Sequence, residues 1–180
     1  LFSKDWSLAE LSGEVQQTID KTIGKKVFNI GGTTAASNYV ALPKPASKEG
    51  LGLTSPYLYL QLKLSPSSPF TIHFDVVTDK GFVVRISLSS RYSVAKRVGT
   101  VVQLPCPSQL LRTAGAWTVL AIDLPILVGR LVPADGEGGF QCLKSLTACC
   151  TLSLRAAFIS ESVYAASSLP RDLTMPVPHK

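Results

Sequence analysis

Three consecutive runs between residues 57 and 89 alternate apolar and polar side chains, and the gap between the last two dictates how they pair. In "YLYLQLKL", Leu58, Leu60, Leu62 and Leu64 alternate with Tyr57, Tyr59, Gln61 and Lys63. In "FTIHFDVV", Phe70, Ile72, Phe74 and Val76 face one way and Thr71, His73 and Asp75 the other. In "FVVRISLS", Phe82, Val84, Ile86 and Leu88 face inward, with Arg85 and Ser87 outward. A period of two belongs to a strand with one buried face. A two-residue loop at Asp79-Lys80 pairs Val76 with Val83 and puts the apolar sets on opposite faces. The three-residue loop Asp79-Lys80-Gly81 pairs Thr78 with Phe82. It sets Val76 opposite Val84, Phe74 opposite Ile86 and Ile72 opposite Leu88. Burial of a common face selects the longer loop. That loop is a type I turn closed by a residue at positive φ, which Gly81 adopts without a Cβ penalty. The same register puts Asp75 across from Arg85 and His73 across from Ser87 on the outer face.

Further strands are expected at "KVFNI" (26–30), "SNYVAL" (37–42), "TVVQL" (100–104), "WTVLAIDL" (117–124), "CLKSLTACC" (142–150) and "LSLRAAFIS" (152–160). Short strands separated by Gly, Pro and Ser turns predict an all-β chain, an antiparallel β-sandwich of jelly-roll type. One or two short helices complete it: a turn in "DWSLAEL" and a connecting helix in "LPILVGRLV" (124–132), with Pro125 near its start. "GEGG" (136–139) reads as a flexible tip. The proline-rich tail "LPRDLTMPVPHK" reads as extended, lying along the sandwich before it leaves as a linker. Residues 1–175 are therefore expected to form one domain with an N-terminal lead-in, and 176–180 to begin a linker. The 180 residues suffice for one core. The chain opens on Leu1 and reads as a fragment of a longer protein, so an N-terminal signal is not excluded.

No apolar run approaches the about 20 residues needed to cross a bilayer. Cys106, Cys142, Cys149 and Cys150 show neither a CxxC pair nor a histidine at zinc-ligand spacing, and read as free thiols in a reducing compartment. The net charge of +6 is unevenly placed. Residues 80–130 hold seven basic side chains (Lys80, Arg85, Arg91, Lys96, Arg97, Arg112 and Arg130) against the single acid Asp123, whereas the rest of the chain holds eleven of each sign. Within this window "SSRYSVAKRVGTVVQLP" (89–105) carries Arg91, Lys96 and Arg97 with no acid at all. Such a window is the electrostatic footprint of a surface that meets an acidic partner, although ordinary solvation also explains it.

Catalytic chemistry finds little support. His73 and Asp75 share a strand face with Ser87 opposite, but residues i and i+2 stand about 7 Å apart, and the natural partner of Asp75 is Arg85 across the pair. His179 sits in the tail. "IGGTTAAS" has neither a GxxxxGK[ST] nor a GxGxxG spacing and reads as a turn. No cofactor or metal motif is present, and the chain is expected not to be an enzyme.

Read in order, Trp6 with Asp20 downstream, "GGTTAASNYVALPK", "LGLTSPYLYLQL", "FTIHFDVVTDKGFVVRISLSS", "GAWTVLAIDL", "SLRAAFISES" and "LPRDLTMPVP" resemble one family over nearly the whole chain. It is the domain of the cilia- and flagella-associated protein found at the inner junction of axonemal doublet microtubules. "NYVALPK", "LGLTSPYLYL" and "MPVPHK" are more similar to the branch that carries this domain ahead of WD repeats at the centriole wall and basal body. The resemblance implies a jelly-roll sandwich that binds tubulin, sealing the junction between A- and B-tubules or anchoring a chain of propellers to the microtubule wall. It implies a cytoplasmic, cytoskeletal location at centriole, basal body and axoneme, a WD-repeat region downstream, and other centriolar or axonemal partners. "VVRISLSSRYSVAKRVGT" departs from the single-domain member in carrying fewer cations.

The expected tubulin-binding patch comprises Arg91, Lys96 and Arg97, which nothing in the local pattern neutralises, with Arg85 weakened by Asp75. Arg155 and Lys63, outward on their own strands, extend it if their sheet is shared. Lys44 and Lys48, near the prolines of "ALPKPASKEG", can contribute from a loop, and Tyr92 can anchor beside the cations. Three alternatives remain open: a carbohydrate- or other ligand-binding sandwich, nucleic-acid binding, and a structural module that never touches tubulin. The first wants grouped exposed aromatics, yet Trp117 opens an apolar strand and reads as core. The second lacks interleaved stacking rings.

Overall fold

A computed structural model describes residues 6–132, 136 and 138–175. A single 3-10 turn at Trp6–Leu8 leads into β1 (Glu10–Ser12), β2 (Val15–Asp20), β3 (Lys25–Ile30), β4 (Tyr39–Leu42), β5 (Tyr57–Leu64), β6 (Phe70–Thr78) and β7 (Val83–Ser89). The chain continues through β8 (Lys96–Val98), β9 (Val101–Pro105), α1 (Ser108–Arg112), β10 (Trp117–Asp123), α2 (Leu124–Leu131), β11 (Phe140–Cys150) and β12 (Leu152–Ser160). Two sheets result: a larger one of seven strands ordered β1-β4-β11-β6-β7-β9-β8, and a smaller one of five ordered β10-β5-β12-β3-β2. This is the expected β-sandwich.

The β6–β7 hairpin has the register that parity demands, with Ile72 opposite Leu88, Phe74 opposite Ile86 and Val76 opposite Val84. Gly81 closes the turn at φ 80°, and its N–H donates to Thr78 O at 2.8 Å. Phe82 departs from expectation: it is 48% exposed, because the strand resumes only at Val83 and the tip projects past the core. Ile72, Phe74, Val76, Val84 and Ile86 of the larger sheet share one buried cluster with Leu58, Leu60, Leu62 and Leu64 of the smaller. Removal of these chains from water is the main stabilising force.

Residues 90–105 depart from a simple meander. After β7 the chain passes the position beside that strand and forms β8 at the sheet margin. It turns at Gly99 (φ 59°) and returns as β9, parallel to β7 and antiparallel to β8. Among the described residues an otherwise antiparallel fold thus holds one parallel pair, reached by a crossover through the cationic segment.

The outer face of the smaller sheet is not the solvated surface that the alternation of "YLYLQLKL" suggests. Tyr59 and Gln61 point outward yet are 1% and 0% exposed, because the C-terminal segment lies across them. Tyr59 stacks on Phe158 with centroids 4.8 Å apart, Tyr164 tilts against it, and the buried Leu173 completes a second apolar cluster. Gln61 Nε2 donates to Leu173 O. The tail therefore lies along the sandwich as expected, but through 3-10 turns at Ala166–Ser168 and Arg171–Leu173 rather than fully extended. Asp123 ends β10 and caps α2, accepting from Ile126 N at 2.9 Å with Pro125 in the first turn. The expected linker 176–180 and His179 lie outside the described residues, as does part of the 136–139 tip.

Candidate functional site

Opposite residues on paired strands share a face, so the ladders assign each expected cation to a side. Arg85 pairs with Asp75 and with Val101, placing it on the outer face of the larger sheet. Lys96 lies opposite Gln103, which lies opposite Ser87, on that same outer face. From strand spacing, Lys96 and Arg85 stand about 12 Å apart at Cα. Arg97 is opposite the buried Val102, so it leans over the inner margin, half-buried, its Nε donating to Gly99 O at 2.8 Å. Arg91, exposed just beyond β7, donates from its guanidinium to Thr33 O at 2.7 Å and ties the β3–β4 loop to this end of the sheet.

Lys63 and Arg155 lie on the other sheet and do not join these four. Lys63 Nζ sits 2.7 Å from Asp20 Oδ2 and 5.2 Å from the Trp117 ring centroid. Arg155 is half-buried on the outer face of the smaller sheet, and its guanidinium donates to Gln61 Oε1 beneath the C-terminal segment. Burial pushes the Asp20 carboxyl up, but the Lys63 ammonium and the Thr22 and Ile23 amides outweigh it and hold it down at about 2. Among the described residues Trp117 Nε1, which is buried, finds no hydrogen-bond partner. The indole is thus buried as expected but outside the sandwich core, paired with Lys63 on the outer face.

The middle of the larger sheet's outer face is a satisfied polar surface. Thr71 Oγ1 meets Ser89 Oγ at 2.9 Å and His73 Nδ1 meets Ser87 Oγ at 2.8 Å. Arg85 grips Asp75 with two N–H groups at 2.7 and 2.8 Å, and Ser145 Oγ donates to the same carboxylate at 2.8 Å. Burial raises the Asp75 pKa, but Arg85 and Ser145 more than compensate and leave it below the usual range. Burial, then the Arg85 charge, lower that of His73, which is neutral at pH 7. The serine, histidine and aspartate expected on one face are therefore there, but Asp75 bonds Arg85 and Ser145, and Ser87 is 1% exposed.

Two cavities adjoin this surface, of about 290 and 400 Å3, sharing Ala41, Pro45, Arg85 and Thr147 in their linings. Lys44, Lys48 and Lys144 line the first. Lys144 went unnoticed in the sequence because "CLKSLT" lies in a distant run, and only the β11–β6 ladder brings it beside Asp75 and Arg85. Among the described residues no helix is long and apolar enough to cross a membrane.

Two sheets packed face to face around one apolar core, with the C-terminal segment lying against the smaller, define a β-sandwich domain. The sequence profile of the CFA20 domain matches residues 3–177, and the chain belongs to that family. It is 38% identical over 168 residues to Centriole proteome protein 16 of Chlamydomonas reinhardtii, covering 92% of this chain and 8% of that protein. It is 31% identical over 197 residues to WD repeat-containing protein 90 of Homo sapiens, covering 97% and 11%. Cilia- and flagella-associated protein 20 of Paramecium tetraurelia is 24% identical over 174 residues, covering 96% and 85%. The chain thus spans about a tenth of the length of the first two relatives. The names of the first and the third place them at the centriole and at cilia and flagella.

Proposed function

We propose that this domain is a non-enzymatic microtubule-binding module that anchors a ciliary or centriolar protein to the microtubule wall. The observation that carries the reading is the state of Arg91 and Lys96. Both are exposed on the side of the larger sheet, and among the described residues neither forms an ion pair. Arg97 and Arg85 flank them, whereas Lys63 and Arg155, expected to extend the patch, belong to the opposite sheet and drop out of it. Membership of a family whose named members are centriolar and ciliary supplies the context. An acidic polymer such as tubulin is attracted to a localised cationic surface, with strong salt dependence. The isolated domain should pellet with microtubules at low salt and release as ionic strength rises past about 0.15 M, where the Debye length is ~8 Å. Charge reversal at Arg91, Lys96 and Arg97 should abolish pelleting, while reversal at Arg155 should not. Undiminished pelleting of the triple variant refutes the assignment of the surface.

A further inference from the structure

Arg85 faces both cavities on the outer side of the larger sheet, and its guanidinium is held from behind. Nε and one terminal nitrogen are engaged by the two oxygens of Asp75, which Ser145 fixes in turn. A guanidinium carries five N–H donors, so about three remain for another acceptor. A group already immobilised loses little further side-chain entropy on binding. Lys44, Lys48 and Lys144, all exposed, line the smaller cavity. Its acids are Asp75, already bonded, and Glu49. The larger cavity adds Tyr39 and the neutral His73 between walls that include Ala35 and Pro45.

We infer that this two-lobed trough binds the carboxylate side chains of an extended acidic peptide, one glutamate on the remaining Arg85 donors and its neighbours on the lysines. Charge complementarity selects an anion, since four cations outnumber two acids in the lining. The cations are spread along the lining with Asp75 and Glu49 among them, which suits carboxylates spaced along a chain better than a single compact dianion. Alanine and proline walls suit a peptide, and a single tyrosine does not make a stacking platform for nucleic-acid bases. The inference rests on the reading that the partner is acidic, but it adds a recessed contact apart from Arg91, Lys96 and Arg97.

The test uses a fluorescent capped hexaglutamate peptide titrated into the folded domain, read by anisotropy at about 25 and 150 mM salt. Replacing Lys44, Lys48 and Lys144 together by glutamine should weaken binding by about tenfold or more. Arg85→Lys keeps the charge but loses the fork, and with an intact melting curve it should weaken binding by about fivefold at both salts. Charge reversal at Arg91, Lys96 and Arg97 should leave peptide affinity within about threefold at about 150 mM salt, where the Debye length is ~8 Å. The inference is overturned if the peptide fails to bind at about 1 mM, if it binds the glutamine variant as well as the parent, or if inorganic phosphate displaces it more readily than free glutamate does. Pelleting with microtubules without peptide binding overturns this inference and leaves the tubulin reading standing. Peptide binding without pelleting does the reverse.

Discussion

Replacing Arg85 by alanine and, separately, Asp75 by alanine should destabilise the domain unequally, although each removes the same ion pair. The Asp75 side chain is 15% exposed and that of Arg85 48%. Loss of Arg85 strands a largely buried carboxylate on the single hydroxyl of Ser145, and an orphaned charge-assisted pair of this kind costs about 2 kcal/mol. Loss of Asp75 leaves a guanidinium already half in water, which rehydrates, so the cost is about 1 kcal/mol after screening. For a domain of this size these amount to roughly 4–8 °C and 2–4 °C in Tm. The pH dependence sharpens the test. Asp75 has a depressed pKa in the folded chain, so its contribution is present above the unfolded value and lost as pH falls through the folded one. Without Arg85 burial dominates and raises that pKa, so protonation relieves the variant. The deficit of Arg85→Ala should therefore shrink between pH 7 and about 3.5 in thermal melts followed by circular dichroism. A larger cost for Asp75→Ala, or a deficit for Arg85→Ala unchanged with pH, refutes the reasoning.

Asp20, held at about 2, should contribute stability that is full at neutral pH and lost below about pH 4 as it protonates. Urea titrations of Asp20→Asn should show a flatter acid limb than the parent. Phe74→Ala, which empties a site 1% exposed, should cost about 3–5 kcal/mol, whereas Phe82→Ser should cost under about 0.5 kcal/mol, as chemical denaturation will report. Burial pushes Cys106 up to about 11 and Cys149 up to about 12 and raises Cys150 as well, whereas Cys142 is only half-buried. A thiol reagent at pH 8 should therefore label Cys142 fast and the other three only on unfolding, and Cys142→Ser should abolish the fast phase.

Alternation fixed the pairing partners of Ile72, Phe74 and Val76 because only one loop length lets both apolar sets share a face. The same alternation misjudged Tyr59 and Gln61. A period of two says which residues stand opposite the core but not whether another segment covers them, and the C-terminal turns with Leu173 do so from far along the chain. β2 is not marked by any alternation, because "VQQTID" holds no fully buried residue, only Val15 packs against the core and Ile19 is 70% exposed. The candidate surface was legible where charge was local, in Arg91, Lys96 and Arg97. It was not legible for Lys63 and Arg155, since strand order alone decides that β5 and β12 sit in the smaller sheet while β6 and β7 sit in the larger.

The larger sheet ends on its margin in β8, three residues long, two of them Lys96 and Arg97. Any chain that tried to extend the sheet there would have to strip water from an ammonium and a guanidinium for the sake of very few backbone hydrogen bonds. Those side chains thus also act as gatekeepers, turning away copies of the protein itself. Exchanging them for valine should make the domain self-associate through that border, a change that light scattering would register before any loss of fold.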